Sequence, residues 1–370
     1  MNQTTKTVAV GLSGGVDSAM AAYALKQQGY TVIGLTMKIW PGGEMPTARG
    51  KSGCYGPGEE HDLSAAAGIC QRLGIPHHTI DLVREYQRSV LDDFSQQYLA
   101  GFTPNPCVLC NQFVKFGALL ERARESGIQF DQFATGHYAR LGFNSVNGRT
   151  LLLKAADPKK DQSYFLYRLR QEQLTQVIFP LGEFTKQQVR EMAIEAGFDD
   201  LANKPESQDF IDGGDYQTFF GSAPAKAGRI VDVNGKELGH HAGIQLFTVG
   251  QRKGLRIGGS AEPLYVATID AASGDVTAAP RAWLAASELS VGMLNWIAVE
   301  NLDHPLRAAA RVRSRQQEAP CLLTPAEKGT LVVRFDQPQY AAAPGQSVVF
   351  YDGDLVLGGG IIPSIRRETV

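Results

Sequence analysis

The stretch Val8-Ala9-Val10-Gly11-Leu12-Ser13-Gly14-Gly15-Val16-Asp17-Ser18 decides the fold of this chain. An apolar run typical of a strand meets a Ser-Gly-Gly turn, and Asp17 and Ser18 then open an Ala-rich stretch typical of a helix. Paired glycines let backbone N–H groups approach an anion, and a helix start adds more N–H groups and a positive dipole end. The pattern predicts a phosphate or pyrophosphate site; the alternative is an ordinary strand–turn–helix corner.

No lysine follows these glycines, which distinguishes the turn from the Gly-Lys-Ser/Thr loop and argues against ordinary γ-phosphoryl transfer. Strand-like runs alternate with helical patterning as far as residue 135, with one helix predicted from about Gln112 to Ser126, and the Gly/Pro-rich stretch 41–58 is predicted to be a loop. From Asp157 to Gly197 the chain is predicted to be mostly helical. The alternation of strands and helices predicts an α/β fold with a doubly wound parallel sheet. Ligands of such sheets bind beyond the carboxyl ends of the strands, where the glycine turn lies.

Length and composition favour a globular protein of two or three domains. The chain has 370 residues, of which 43% are hydrophobic and 20% are charged, values that are ordinary for a well-cored protein. We expect a catalytic α/β domain over 1–205, a small central linking domain over 206–285, and an antiparallel β-barrel over 286–370, where short strands are evenly spaced. With no signal peptide and no apolar run of the ~20 residues that a membrane span needs, we expect a cytoplasmic protein with no membrane partner.

A second informative stretch is Thr103-Pro104-Asn105-Pro106-Cys107-Val108-Leu109-Cys110-Asn111. The prolines stiffen the loop, and cysteines three residues apart at a predicted helix start can face one site. A helix N-terminus lowers the pKa of a thiol and so favours the thiolate. A redox pair, metal or iron–sulfur ligands, and a sulfur carrier remain open, with two buried small hydrophobes as the structural alternative.

Other polar clusters have both a functional and a structural interpretation. His137 follows a strand and either contacts substrate or packs beneath it. The run Lys160-Asp161-Gln162-Ser163 opens a helix, where Asp or Ser also serves as an N-cap. Arg311, Arg313 and Arg315 alternate along a predicted strand, so they would share one face, either solvated or binding a phosphodiester. The net charge of −2 neither predicts nor excludes a nucleic acid partner.

Taken together, these stretches resemble the bacterial tRNA-specific 2-thiouridylases, a family of PP-loop ATP pyrophosphatases. The resemblance rests on Ser-Gly-Gly-Val-Asp-Ser, the Thr-Pro-Asn-Pro loop with Cys110, Ala-Thr-Gly-His-Tyr, Lys-Asp-Gln-Ser-Tyr-Phe-Leu, Thr-Val-Gly-Gln-Arg-Lys-Gly-Leu and Pro-Gly-Gln-Ser. These motifs follow the family's order over nearly the whole chain. The resemblance implies that ATP with Mg²⁺ adenylates C2 of an everted wobble uridine, after which sulfur replaces AMP. The implied partners are the tRNAs for Lys, Glu and Gln and a sulfur donor or relay protein.

The resemblance also assigns roles to matching positions. For ATP binding these are Gly11, Leu12, Ser13, Gly14, Gly15, Val16, Asp17, Ser18, Met37 and Gly136. For the target base and the rest of the tRNA they are Asn105, Pro106, Cys107, His137, Lys160, Asp161, Gln162, Arg313, Ser314 and Gln346. For catalysis the matching position is Cys110, the family's nucleophile, and we add Cys107 and Asp17 as catalytic candidates.

Two departures from the family pattern concern sulfur transfer. Cys107 stands where the family has Asp, and the run after Glu206-Ser207-Gln208 is about two residues shorter and lacks the family's second cysteine. The usual two-cysteine persulfide scheme therefore cannot operate unmodified. One hypothesis is a [4Fe–4S] cluster held by Cys107, Cys110 and Cys54, with an open iron for the transferred sulfur. The other has a persulfide on Cys107 that Cys110 resolves.

Two further function classes remain open at this point. Another PP-loop enzyme could act on a small molecule, as an amidotransferase-type synthetase does, or the chain could bind RNA without catalysis. The arginines and the Cys-x-x-Cys pair argue against the first class. The presence of both Cys107 and Cys110 argues against the second.

Overall fold

The computed structural model describes residues 6–43, 53–203, 209–211, 220, 227–258 and 262–365. By contacts the chain forms two compact units. The first consists of 1–90, 107–218 and 354–356, and the second consists of 91–106, 219–353 and 357–370.

A five-stranded parallel sheet forms the centre of the first unit, as the sequence predicted. Across the sheet, the strands are His77–Asp81, Thr31–Lys38, Thr7–Gly11, Gln132–Thr135 and Val177–Ile178. The central strand Thr7–Gly11 buries Val8, Ala9 and Val10 completely, since helices cover the sheet. Helix Val16–Gln27 contributes its alanines to that core and packs against Lys186–Glu195.

The helices of the model lie close to the predicted positions, with one shift at the cysteine pair. They are Val16–Gln27, Glu59–Leu73, Val83–Tyr86, Asp92–Leu99, Pro106–Leu109, Leu119–Glu125, Ser163–Leu166, Gln171–Leu174, Lys186–Glu195 and Asp199–Ala202, with π-helical turns at Gln87–Leu91 and Cys110–Ala118. The helix after the Thr-Pro-Asn-Pro loop was predicted from Gln112, but it begins at Pro106. Proline fits a first helical turn, where its missing N–H would have no partner.

Short strands in three parts of the first unit differ from the prediction. Arg140–Asn144 and Arg149–Leu153 form an antiparallel hairpin, which the sequence did not reveal. Val177–Ile178 lies in a stretch that was predicted to be helical. Cys54 does not lie in a loop but in the strand Gly53–Tyr55, which pairs in parallel with Asp209–Ile211. That partner is distant in sequence, so the local Gly/Pro composition concealed the strand.

The second unit contains a mixed sheet and a closed barrel. The mixed sheet has the strands Glu237–His241, Gly228–Val231, Val276–Pro280 and Leu264–Ile269 in that order. The barrel has the antiparallel strands Ala285–Trp296, Leu331–Tyr340, Ala319–Pro325, Leu306–Arg311, Ser347–Asp352 and Leu355–Ile361, and its first and last members pair to close it. The predicted barrel is thus confirmed.

The predicted arginine face is wrong. The strand ends at Arg311, and Arg313 and Arg315 lie in the turn that follows. Arg311 forms an ion pair with Glu318 at 2.7 Å, while the Arg313 guanidinium binds backbone carbonyls. Because the three side chains no longer alternate along extended backbone, they do not share a face.

Candidate functional site

A cavity of about 310 Å³ opens at the carboxyl ends of the central strands, where the sheet topology placed the predicted site. Nine of the ten residues predicted to bind ATP line it, namely Gly11, Leu12, Ser13, Gly15, Val16, Asp17, Ser18, Met37 and Gly136. Leu35, Cys54, Asp62, Lys115, Leu119, Thr135, His137 and Gln162 complete the lining.

The glycine turn leaves the start of helix Val16–Gln27 open to the cavity. Gly14 has a φ of +73°, and a Cβ there would lie 2.9 Å from the backbone oxygen of Asp62, so only glycine fits. Gly15 is the N-cap residue, and no side chain caps the helix. The uncapped amide groups and the positive end of the helix dipole therefore face the cavity, an arrangement suited to an anion.

Gly136 packs directly against this helix start. A Cβ on Gly136 would lie 2.7 Å from the carbonyl carbon of Asp17 and 2.7 Å from the amide nitrogen of Ser18. Both are backbone atoms, which cannot move without displacing the helix. Gly136 therefore fixes the distance between the strand end and the helix N-terminus.

Asp17 is held by two groups that the sequence analysis did not connect with it. The Lys186 Nζ lies 2.7 and 2.8 Å from the two carboxylate oxygens, and the Tyr138 hydroxyl donates to Oδ1 at 2.7 Å. Lys186 is buried at the start of its helix, which Thr185 and Gln188 cap reciprocally. The Asp17 carboxylate is therefore fixed in place at the cavity wall rather than free to turn.

His137 lines the cavity as a neutral imidazole. Burial, with a smaller contribution from the Lys115 ammonium, lowers its pKa well below 6.5. Its Nδ1 lies 2.7 Å from the Thr135 hydroxyl, and its ring packs against Phe116 and Phe179. A neutral ring can hydrogen-bond a base without carrying charge.

The three candidate thiols all influence one buried tyrosine. Burial raises the pKa of Tyr86 most, and the charges of Cys110, Cys54 and Cys107 raise it further. All three sulfurs are therefore within electrostatic range of the Tyr86 hydroxyl. Tyr86 also stacks on Tyr55, the neighbour of Cys54, with 5.4 Å between ring centroids. None of the thiols forms a disulfide. Among the described residues, however, no three His, Cys, Asp or Glu side chains are placed to share one metal ion.

The predicted lowering of the thiol pKa is wrong for Cys110. Burial raises the pKa of Cys110 to about 11, and the nearby Lys115 ammonium offsets this only in part. A helix dipole lowers the pKa of a thiol at the helix start, but desolvation of the buried Cys110 thiol has the larger effect on its pKa here. Cys107, in contrast, is exposed.

Residues 160–163 form a local turn, and one of their side chains lines the cavity. The Asp161 carboxylate accepts hydrogen bonds from the Ser163 amide at 3.1 Å and the Ser163 hydroxyl at 3.0 Å. The Gln162 side chain lines the cavity and accepts from the Tyr138 amide at 2.8 Å. Lys160 is half-buried in the turn before them.

The remaining predicted tRNA residues belong to the second unit. The Gln346 amide is buried and donates to the carbonyls of Thr103 and Pro104 at 2.8 and 3.2 Å. The Arg313 guanidinium donates to the carbonyls of Ala341 and Val249 at 2.9 and 2.8 Å. Both side chains therefore hold backbone in place. Asn105 and Ser314 are half-buried, and Pro106 is buried.

Sequence reasoning missed Lys115, Asp62 and Lys186. Lys115 follows Cys110 by five residues, a spacing that would place it on another face of an α-helix. Asp62 was hidden in an acidic first turn of the helix Glu59–Leu73. Lys186 stands 169 residues from Asp17, so no local signal connected the two.

Comparison with known families assigns the three parts of the chain. Residues 6–211 match the family described as tRNA methyl transferase HUP domain, 219–280 match its PRC-barrel domain, and 286–362 match an aminomethyltransferase beta-barrel domain. No helix in the described ranges combines the length and apolarity needed to cross a membrane.

Several curated proteins named tRNA-specific 2-thiouridylase MnmA align with nearly the whole chain. The protein from Endomicrobium trichonymphae is 44% identical over 362 residues, which cover 97% of this chain and 99% of that protein. Its counterpart from Acetivibrio thermocellus is 44% identical, covering 96% and 99%. One from a Picosynechococcus species is 46% identical, covering 96% and 98%.

Proposed function

The chain belongs to the tRNA-specific 2-thiouridylase family, and on that premise we propose that it uses ATP to replace the C2 oxygen of a tRNA uridine with sulfur. The observation that carries the proposal is an uncapped helix N-terminus behind a Ser-Gly-Gly turn, in one cavity with Cys54 and Lys115, whose charges act on the Cys110 thiol. Activation of an oxygen and delivery of sulfur require groups of these two kinds close together.

The first step is adenylation. The uridine O2 attacks the α-phosphorus of ATP, the bond to the bridging oxygen breaks, and pyrophosphate leaves. The glycine turn and helix start are suited to binding that pyrophosphate. Mg²⁺ is commonly bound by one or two carboxylates together with phosphate oxygens. The cavity offers Asp62 for this, besides the ion-paired Asp17.

The second step replaces AMP with sulfur. A sulfur nucleophile attacks C2, the bond from C2 to the phosphate-bearing oxygen breaks, and AMP leaves with both electrons. We assign the target base to Asn105, Cys107 and His137. We assign tRNA contacts to Lys160, Asp161, Gln162, Arg313, Ser314 and Gln346. Several of these side chains also form hydrogen bonds to backbone groups of the protein, so they would contact tRNA while keeping those bonds.

We favour a [4Fe–4S] cluster, held by Cys107, Cys110 and Cys54, as the group that binds the sulfur to be transferred. All three thiols act electrostatically on Tyr86, which supports the proposal that they lie in one region. Cluster ligands bind different iron atoms and need not meet at one point. When bound, such a cluster would supply an open iron for inorganic sulfide. Metal binding also deprotonates a thiol outright, which removes the obstacle of the raised Cys110 pKa.

The competing route uses a persulfide on Cys107. Its outer sulfur attacks C2, and the Cys110 thiolate then cleaves the S–S bond to release the thiocarbonyl. This forms a Cys107–Cys110 disulfide, so each turnover consumes two electrons from an external thiol. Delivery of inorganic sulfide involves no change in oxidation state, and the two routes therefore differ in their need for a reductant.

Mass spectrometry of wobble nucleosides tests both the activity and the route. Anaerobically prepared protein is incubated with ATP and tRNA and with either sulfide or a low-molecular-weight persulfide as the sulfur source, with and without reconstituted iron and with and without dithiothreitol. We expect 2-thiouridine only with iron, no requirement for dithiothreitol, and loss of product in Cys110→Ala, Cys107→Ala and Cys54→Ala. Cys321→Ala, a barrel-core thiol, is the matched control. Full activity without iron would overturn the cluster, and no product under any condition would overturn the thiolation.

The proposal also covers the partners of the protein, its cellular location and its domain boundaries. We propose the tRNAs for Lys, Glu and Gln and a protein that delivers sulfur as partners, as the family resemblance implies, and a cytoplasmic location. The division into 1–205, 206–285 and 286–370 is likewise proposed, with the family matches as its support.

A further inference from the structure

The glycine turn has no lysine of its own, yet one lysine reaches the cavity from another element. Lys115 lines the cavity together with Ser13 and Gly15 of the turn. In the described part of the chain, no carboxylate forms an ion pair with its ammonium. The buried Lys186 near this site is already neutralised by its ion pair with Asp17. Lys115 is thus the cation that a phosphate in this cavity would meet.

A local change of helix type accounts for the position of Lys115. In an α-helix of 3.6 residues per turn, residues five apart point about 140° away from each other. Cys110–Ala118 is π-helical, and its i→i+5 hydrogen bonds bring residue i+5 back close to residue i. Cys110 and Lys115 therefore face the same side. Leu119, in the helix that follows, also lines the cavity.

The Lys115 ammonium shares the cavity lining with His137 and with the glycine turn, which is suited to pyrophosphate. After burial, which has the larger effect, its charge also lowers the pKa of both Cys110 and His137. In adenylation, the α-phosphorus is the atom bonded to both pyrophosphate and the uridine oxygen. A cation that lines the same cavity as the turn and acts on the Cys110 thiol is placed to meet that phosphate.

We propose that Lys115 is a catalytic residue of this site, whose ammonium binds the α-phosphate of ATP and then that of the adenylated uridine. This inference rests on the proposed function. Negative charge grows on the phosphate oxygens as pyrophosphate leaves and again as AMP leaves. A fixed cation stabilises both transition states without reorganisation. The residue thereby takes the part that a loop lysine plays in other nucleotide sites, from a different element of the fold.

Ligand binding by calorimetry tests the proposal without tRNA or sulfur. The probes are AMP, which carries only the α-phosphate, and inorganic pyrophosphate. Lys115→Met should weaken AMP binding about 10- to 100-fold, the equivalent of one charge-assisted hydrogen bond, and should weaken pyrophosphate binding much less. Lys115→Arg should retain most of the AMP affinity. Lys6→Met, an exposed lysine beside the opposite end of the central strand, is the matched control and should bind both probes like the wild type.

Each outcome decides the assignment. Unchanged AMP affinity in Lys115→Met, or a loss confined to pyrophosphate, overturns it. If Lys115→Met fails to fold, as judged by circular dichroism, Lys115→Gln provides the same comparison with a neutral polar side chain. Wild-type protein that binds AMP through Lys115 but never forms 2-thiouridine would overturn the proposed function and the catalytic role, while the contact of Lys115 with the α-phosphate would stand.

Discussion

Removal of the Lys186 ammonium should destabilise the first unit more than removal of the whole ion pair. The Lys186 side chain is 9% exposed and the Asp17 side chain 30%. Loss of one partner of a buried pair costs about 3–5 kcal/mol. Because Asp17 is partly solvated and keeps its hydrogen bond from Tyr138, we expect about 2–3 kcal/mol for Lys186→Met. For a domain of this size, that lowers Tm by roughly 4–12 °C.

A double-mutant cycle measures the coupling. Lys186→Met, Asp17→Asn and the double variant are compared with the wild type by differential scanning calorimetry at one scan rate without nucleotide. The double variant leaves no unpaired buried charge, so it should be more stable than Lys186→Met, with a coupling of at least about 1 kcal/mol. Lys6→Met, which removes an exposed lysine, should stay within about 0.5 kcal/mol of the wild type. A coupling near zero would refute the view that Lys186 fixes Asp17.

Three further variants or reagents address other parts of the site. Gly136→Ala should weaken ATP binding by about 1–3 kcal/mol in calorimetry, because its methyl group displaces the helix start; Gly68→Ala, with nothing within 4 Å of its Cβ, should bind ATP normally, and normal binding by both would contradict the argument. In metal-free protein, alkylation of Cys110 by iodoacetamide, followed by peptide mass spectrometry, should rise with pH up to about 11, and a plateau by pH 9 would contradict burial as the cause. Gln346→Ala leaves the carbonyls of Thr103 and Pro104 without their donor and should lower the stability measured by calorimetry by about 1–3 kcal/mol. Unchanged stability with weaker tRNA binding would show that Gln346 contacts tRNA and does not hold the backbone in place.

The part of the fold that local sequence determines could be predicted. The run from Val8 to Ser18 contains the buried strand, the turn and the helix start within one short segment, so periodicity and glycine placement were sufficient. Repetition of the strand–helix unit along the chain predicts the parallel sheet. Ligands of such a sheet bind beyond the carboxyl ends of its strands. The cavity therefore lies where the sequence placed it.

The residues that the sequence did not place depend on long-range pairing or on helix type. Lys186 meets Asp17 only after the sheet and its helices assemble, and the strand of Cys54 exists only beside Asp209–Ile211. Lys115 faces the cavity because of a π-helical turn, and hydrophobic periodicity does not distinguish such a turn from an α-helix. The raised pKa of Cys110 reflects burial, which local helix position did not reveal.

That raised pKa has a consequence for the route of sulfur transfer. With a pKa of about 11, only about one Cys110 side chain in ten thousand is a thiolate at pH 7. A route in which Cys110 must attack as a free thiolate should therefore accelerate about tenfold per pH unit between pH 7 and 9, since each unit raises the thiolate fraction tenfold.

A route in which Cys110 acts as an iron ligand should show no such slope, because a metal-bound thiol is already deprotonated. Single-turnover formation of 2-thiouridine, measured from pH 7 to 9 in iron-reconstituted and iron-free protein, separates the two. We expect a flat profile with iron and little product without it. A tenfold rise per unit that is identical in both preparations would assign Cys110 to nucleophilic attack and remove the reason for a cluster at this site.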